Sequence, residues 1–137
     1  MMKKWCLILL LFILSSACKE KLYPELVGIW QLTEVKDSTK DWDSTSYRVG
    51  SRIEFKKNGI IDLGTIDCYC SHNNSYKLSG NTLFFTYGEA GCYPFIDCPR
   101  PVKATIIQID SQTLILDWIL PSRYPENFNY QAKFKRI

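Results

Sequence analysis

The heptapeptide Thr113-Leu114-Ile115-Leu116-Asp117-Trp118-Ile119 is the clearest alternating stretch of the sequence. Its second, fourth and sixth residues are large and apolar, and they share one face because successive side chains of a β-strand point to opposite sides. The other face carries Thr113, Ile115 and Asp117. This period of two predicts a strand with one face in a hydrophobic core.

Other stretches of the chain alternate in the same way, and turn residues separate them. Asn58-Gly59 and Ser79-Gly80-Asn81 supply the positive φ angles of tight turns, and Asp110-Ser111-Gln112 separates the heptapeptide from the strand before it. No stretch has helical periodicity beyond a single turn at residues 23–26. We therefore predict eight strands, at residues 28–36, 52–56, 60–64, 75–78, 82–87, 102–109, 113–119 and 129–135.

Strands joined by sequential hairpins form an antiparallel meander, and closing a meander into a barrel removes its exposed edges. We therefore expect an all-β fold, an antiparallel up-and-down barrel of about eight strands; an open sandwich is the alternative. Such a barrel encloses side chains alone, or side chains and one small ligand. Which of Phe84 and Phe85 faces inward stays open, because consecutive strand residues face opposite ways. The expected inward positions are those around Phe55, Phe84, Leu116, Trp118 and Phe134.

The first seventeen residues have the pattern of a secretory signal peptide. Residues 1–4 include two lysines, residues 5–14 are an unbroken apolar run, and Ser15-Ser16-Ala17 supplies the small residues that a signal peptidase requires. The apolar run is too short for a membrane-spanning helix, which needs about 20 residues. We therefore expect residues 1–17 to be removed and the rest of the chain to be exported.

Cys18 follows the small residues directly, and Leu14-Ser15-Ser16-Ala17-Cys18 resembles the lipobox of bacterial lipoproteins. The resemblance implies that Cys18 is diacylated and becomes the first residue of the mature chain. Its acyl chains would anchor the protein in the bacterial cell envelope, in the outer membrane on its periplasmic or surface face; the leaflet stays open. Plain secretion is the alternative. Residues 18–25 would then be a short lipidated tether, and residues 26–137 the barrel domain.

The mature domain contains four further cysteines, Cys68, Cys70, Cys92 and Cys98. An even number of cysteines outside the cytoplasm predicts two disulfides. Cys68 and Cys70 share a face if they lie on a strand, so we expect each of them to pair with one of Cys92 and Cys98; the connectivity stays open. The alternative is a four-thiolate zinc site, but the spacing lacks the paired C-x2-C motifs of such sites. We therefore predict no metal.

The composition and the motifs exclude several classes of function. The net charge is +3, with 17 basic and 14 acidic residues, and it falls to +1 without Lys3 and Lys4. This balance does not predict binding of nucleic acid. One histidine and cysteines expected in disulfides leave no evident nucleophile with a base, and the seven glycines lie at turns rather than in a phosphate-binding loop. We predict that the protein is not an enzyme and uses no cofactor.

Short motifs along the chain resemble those of lipocalin-like domains in small bacterial lipoproteins. Gly28-Ile29-Trp30 gives the Gly-x-Trp pattern on the first strand, and Ile53-Glu54-Phe55, Asn58-Gly59 and the alternating strand at 130–134 follow downstream. The resemblance implies that Gly28 and Trp30 form a structural signature, with Trp30 packed at the closed end of the barrel. It also implies binding of a small apolar or amphipathic ligand at the open end.

Two long connections, at 37–50 and 88–101, provide candidate residues for the mouth of that site. We expect Trp42, Tyr47, Tyr93 and Phe95 to contact the ligand. Trp42 has an alternative role as a plug folded onto the end of the barrel. The alternative function is a protein-interaction module, resembling an inhibitor or binding an envelope protein, with a filled barrel and a disulfide-stapled loop between Cys92 and Cys98.

Overall fold

Eight β-strands and one turn of 3-10 helix make up the part of the chain that the computed structural model describes, namely residues 23–37, 41–46, 49–64, 74–88, 101–122 and 129–137. The 3-10 turn, Pro24–Leu26, precedes the first strand. The strands are β1 (Gly28–Asp37), β2 (Arg52–Phe55), β3 (Ile61–Asp62), β4 (Ser75–Ser79), β5 (Thr82–Thr86), β6 (Lys103–Ile109), β7 (Thr113–Ile119) and β8 (Tyr130–Arg136).

The predicted strands are all present, and seven of them agree with the prediction to within one residue at each end. The exception is β3, which we predicted at 60–64 and which contains two residues only. Asp62 explains the early end, since its Oδ1 accepts a hydrogen bond of 2.9 Å from the backbone N–H of Gly64. Gly64 has a φ of +51°, so the chain turns away from the sheet at this point.

All the strand pairings are antiparallel, and the strand order is β3-β2-β1-β8-β7-β6-β5-β4. The two outermost strands, β3 and β4, meet at a bridge between Ile60 and Ser75. The bridge is flanked by backbone hydrogen bonds from Ile61 N to Asn74 O (3.0 Å) and from Tyr76 N to Gly59 O (2.8 Å). The sheet therefore curls into a nearly closed up-and-down barrel, which confirms the predicted fold class.

The two ends of the barrel differ in their connections. At one end, the short turns after β2, β4 and β6 lie together with the 3-10 turn and the start of β1. We call this the closed end. At the other end, the connections after β1, β3, β5 and β7 are all long, spanning residues 38–51, 63–74, 87–102 and 120–129. We call this the loop end; it includes both connections in which the mouth of the site is predicted.

The interior is a continuous cluster of buried apolar side chains. On β7 the predicted alternation is present, with Leu114, Leu116 and Trp118 buried and their neighbours half-buried. Leu26 from the 3-10 turn closes the cluster at the closed end. The fully buried members with the largest side chains are Trp30, Trp118, Phe55, Phe134, Leu26, Leu32, Ile53, Ile61, Leu83, Leu114 and Leu116.

One expected inward position was wrong. Phe84 has 47% of its surface exposed, whereas Phe85 has 9%. The pairing of β5 with β6 explains why Phe85 rather than Phe84 faces inward. Leu83 lies opposite Ala104 in the interior, and Phe84 lies opposite Lys103 on the outer face. The next residue, Phe85, therefore returns to the interior.

A search for membrane-spanning helices within the described ranges finds none with sufficient length and hydropathy.

Candidate ligand-binding site

The closed end is built around Trp30. Its indole is fully buried, and Nε1 donates a hydrogen bond of 2.9 Å to the carbonyl oxygen of Leu26. The guanidinium of Arg136 covers the ring, with Cζ 4.3 Å from the ring centroid. The same guanidinium donates hydrogen bonds to the carbonyl oxygens of Val27 and Ser111, each 3.0 Å long, and to that of Glu25. Arg136 thus joins β8 to the 3-10 turn and to the turn after β6.

This arrangement gives a physical reason for glycine at position 28. Gly28 has a φ of +142°, a conformation that side chains with a Cβ rarely adopt. A Cβ at this position would also collide with the guanidinium of Arg136. The structure therefore places both members of the Gly-x-Trp pattern at the contact between β1 and β8.

Sequence reasoning missed Arg136, although the alternation of the last strand contained a signal. On β8, Ala132 and Phe134 face the interior, so the alternation continues inward at Arg136. A cation at an inward position breaks the apolar pattern and indicates a buried or capping partner. That partner is Trp30, which is opposite Arg136 in the pairing of β1 with β8.

Toward the loop end, four aromatic side chains from three strands and an adjacent connection form a continuous series of ring contacts, which we call the aromatic group: Phe85, Tyr87, Trp118 and Tyr130. The rings of Phe85 and Trp118 are 5.3 Å apart and 23° from parallel, and those of Trp118 and Tyr130 are 6.4 Å apart and 25° from parallel. Tyr87 lies 6.5 Å from Phe85 and donates a hydrogen bond of 2.6 Å to Pro101 O. The group lies where β5 and β7 end and β8 begins.

Trp118 differs from Trp30 in one respect that bears on binding. Its side chain is 1% exposed, yet its Nε1 has no hydrogen-bond partner among the described residues. A buried N–H donor without an acceptor is costly, and most buried donors in native proteins are satisfied. The interior of the barrel therefore contains one unused donor within the aromatic group.

Hydrogen bonds at the loop end connect the ends of the long connections. The buried Asn74 accepts a hydrogen bond of 3.3 Å at Oδ1 from Gly88 N, which joins connection 63–74 to connection 87–102. Asn129 accepts one of 3.0 Å at Oδ1 from Leu120 N, which closes connection 120–129. Connections 63–74 and 87–102 contain the four cysteines of the mature domain. Cys68, Cys70, Cys92 and Cys98 themselves lie outside the described residues, so their disulfides stay a prediction.

Of the four residues predicted at the mouth of the site, the structure describes Trp42 alone; Tyr47, Tyr93 and Phe95 lie outside the described residues. Asp43 pairs with Val35 on β1 through two backbone hydrogen bonds of 3.0 and 2.8 Å. The Trp42 ring centroid is 5.8 Å from Nζ of Lys133, which forms an ion pair of 2.9 Å with Glu34. This contact is on the outer face, and the ligand-binding role of Trp42 stays a prediction.

A concavity lies on the outside of the barrel, near the closed end. It is an open cleft of about 560 Å³ lined by Tyr23, residues 80–81 and residues 106–109. Its walls come from two turns and a strand end, and it is separate from the aromatic group. A cleft so open buries a small ligand poorly, so the interior next to the aromatic group is the better candidate.

Two aspartates among the described residues have displaced pKa values. Burial raises the pKa of the Asp117 carboxyl, which is on the outer face opposite Thr105 and Gln131. Hydrogen bonds from the backbone N–H groups of Gln112 and Thr113 lower the pKa of Asp110. Within the described ranges, no three His, Cys, Asp or Glu residues are grouped in a way that could hold a metal ion.

An antiparallel barrel with a tryptophan-sealed end and an interior aromatic group at the other end has the architecture of small β-barrel binding proteins. The model of the lipocalin-like domain family matches residues 26–116, more than half of the chain, and the chain belongs to that family. A search of curated proteins finds no matching sequence. The matched span ends within β7, so Trp118, Tyr130 and Arg136 lie beyond it although they complete the barrel.

Proposed function

We propose that this protein is a non-enzymatic, lipid-anchored lipoprotein of the bacterial envelope whose barrel binds a small apolar or amphipathic ligand near the loop end. Residues 1–17 would be the signal peptide, residues 18–25 the lipidated tether and residues 26–137 the binding domain. The observation that supports the ligand most strongly is the position of the aromatic group, in the interior and at the end where the four long connections emerge.

The interior near the closed end has no corresponding role in this proposal. Trp30, Phe55 and Phe134 are buried there and pack with Leu26, which fills that end with protein side chains. A ligand would therefore sit against Phe85, Trp118 and Tyr130. Aromatic rings suit such a site because they provide large apolar surfaces with defined geometry.

The support for the anchor lies in the first eighteen residues. Cys18 follows a cationic segment, an apolar run and small residues, the order expected of a lipoprotein signal. Each buried acyl methylene contributes about 0.8 kcal/mol, so two or more acyl chains hold a protein on a membrane stably. Labelling with an alkyne analogue of palmitate tests this part, since the wild-type chain should be labelled and the Cys18→Ala variant should not.

A second function, the protein-interaction module, has its own supporting observation. The buried cluster is continuous, and Phe55, Leu116, Trp118 and Phe134 are each almost fully buried, as a barrel filled by its own side chains requires. In that case the surface, including the connection that contains Cys92 and Cys98, would make the contact with the partner.

Native mass spectrometry of the mature chain distinguishes these functions. The Cys18→Ser variant would be exported behind an ordinary cleavable signal peptide and purified from the periplasm of its own host without reducing agent. An additional mass that is released on denaturation supports the ligand, and its value indicates the ligand class. A ligand-free chain, about 4 Da lighter than the fully reduced chain because of two disulfides, would instead favour the protein-interaction module.

A further inference from the structure

We propose that the ligand presents a neutral hydrogen-bond acceptor, such as the carbonyl oxygen of a ketone, ester or amide, to Nε1 of Trp118. This inference rests on the proposed ligand-binding function and specifies the chemistry of that site. It starts from the unused donor: Trp118 is 1% exposed, and its Nε1 has no acceptor among the described residues.

The two buried tryptophans of the barrel provide an internal comparison. Nε1 of Trp30 donates to Leu26 O at 2.9 Å, so the barrel satisfies the indole that seals its closed end. Trp118 could have been phenylalanine without loss of a hydrogen bond within the described part of the chain. Leaving an indole N–H unpaired in the interior costs free energy, and an incoming acceptor recovers it.

The stacking of the aromatic group determines where an acceptor can approach. Tyr130 comes from β8, on one side of β7, and Phe85 comes from β5, on the other side. Both rings stack against the indole within 25° of parallel, at centroid distances of 5.3 and 6.4 Å. A ligand atom consequently reaches the indole along its edge, where the N–H group lies.

Charges around the aromatic group favour a neutral acceptor over a carboxylate. Arg136 faces inward at the closed end, where Val27, Ser111 and Glu25 carbonyls already accept its hydrogen bonds. Tyr130 of the aromatic group lies opposite Asp37 in the pairing of β1 with β8. The charged residue paired with the aromatic group is therefore an acid. Burying an anionic ligand group here would be costly. The described lysines of the neighbouring strands lie on the outer face: Lys36, Lys103, Lys133 and Lys135.

Two naphthalene probes of matched size test the inference on the mature chain with Cys18→Ser. 2-Acetylnaphthalene has a carbonyl oxygen, and 2-isopropylnaphthalene has none. We expect both to bind, with the ketone bound about fivefold more tightly, equivalent to about 1 kcal/mol for one hydrogen bond. In ¹H–¹⁵N spectra, the ketone should move the Trp118 Nε1–H resonance downfield, whereas the Trp30 resonance should stay in place because that donor is already bonded.

Trp118→Phe retains an aromatic ring but removes the donor, so it should bind both probes equally. Phe84→Leu is the matched control, because Phe84 is on the outer face next to Phe85 and should leave the preference for the ketone intact. If Trp118→Phe fails to fold, the wild-type resonance still decides. Equal wild-type affinities with an unmoved Trp118 resonance would overturn this inference and leave the proposed function standing. Failure of both probes to bind the folded wild-type chain would contradict the proposed function itself.

Discussion

The guanidinium of Arg136 covers the indole of Trp30 at a distance of 4.3 Å from Cζ to the ring centroid, joining the last strand of the barrel to the first. It also donates hydrogen bonds to carbonyl oxygens of the 3-10 turn region and of the turn after β6. One side chain therefore connects three separate segments at the closed end.

Arg136→Lys should lower the free energy of unfolding by about 2 kcal/mol, because a lysine retains the charge but cannot reproduce the planar stacking and the fork of donors. Urea denaturation followed by circular dichroism measures the loss. Lys135→Ala is the control, since Lys135 is exposed on the outer face and its removal should cost less than about 0.5 kcal/mol. Equal losses in the two variants would show that the Arg136 contacts contribute little.

Gly28→Ala should also destabilise the barrel, by about 2 kcal/mol, because of its positive φ and the collision with Arg136. Gly50→Ala is a matched control with a φ of +93° and no atom within 4 Å of the added Cβ. Denaturation should therefore show a larger loss at position 28 than at position 50. A loss at position 50 as large as that at position 28 would mean that backbone strain alone, without the collision, accounts for both.

The register of β5 predicts opposite results for its two consecutive phenylalanines. Phe85→Ala should cost about 3 kcal/mol, because it leaves a cavity beside Trp118. Phe84→Ala should cost less than about 1 kcal/mol, because almost half of the Phe84 side chain is already exposed. Thermal and urea unfolding of the two variants give the comparison, and a reversed order would place the strand in the other register.

Much of the barrel was predictable, and the errors have physical causes. Alternation with turn residues fixed seven strands to within one residue, because both signals are local. The neighbouring sequence does not show whether Phe84 or Phe85 faces the interior, because either register of β5 places a phenylalanine inside. The pairing of Leu83 with Ala104, which lies on another strand, determines the register. The early end of β3 depends on an Asp62 side-chain hydrogen bond to Gly64 N, which strand periodicity does not show.

The candidate site was less predictable than the fold. Long connections indicate the end of the barrel at which we propose the site, and the predicted mouth residues come from those connections alone. The stacking of Trp118 between Phe85 and Tyr130 depends on pairings among strands that are distant in sequence. The unpaired state of Trp118 Nε1 has no sequence signal, because it depends on where acceptors lie in three dimensions.

Asp117→Asn should increase stability at pH 7. Burial raises the pKa of Asp117 in the folded state, so the folded protein binds the proton more tightly than the unfolded chain does. Stability is therefore lost as pH rises from the ordinary range of aspartate through the raised pKa, and the loss persists at neutral pH. Melting temperatures should show a gain in the variant at pH 7 that disappears near pH 3, where the wild-type carboxyl is protonated.

Asp110→Asn should have the opposite effect and serves as the control. Hydrogen bonds from Gln112 and Thr113 lower the pKa of Asp110 in the folded state, so its contribution to stability is present above the ordinary aspartate range. That contribution is lost as pH falls through the lowered pKa. The variant should therefore melt at a lower temperature than the wild type at pH 7. The same sign of change in both variants at pH 7 would contradict these assignments.

We expect the barrel to take its ligand beside the aromatic group at the loop end. Titration of the ¹⁵N-labelled mature chain with an apolar extract of its own envelope, followed through backbone amide and indole shifts, tests this position. We predict shifts at residues 85–88, 101–104, 118–120 and 129–132, and none at the closed-end turns around residues 57–60, 80–81 and 110–112. Shifts confined to the closed end or to the outer cleft, or no shifts at all, would contradict it.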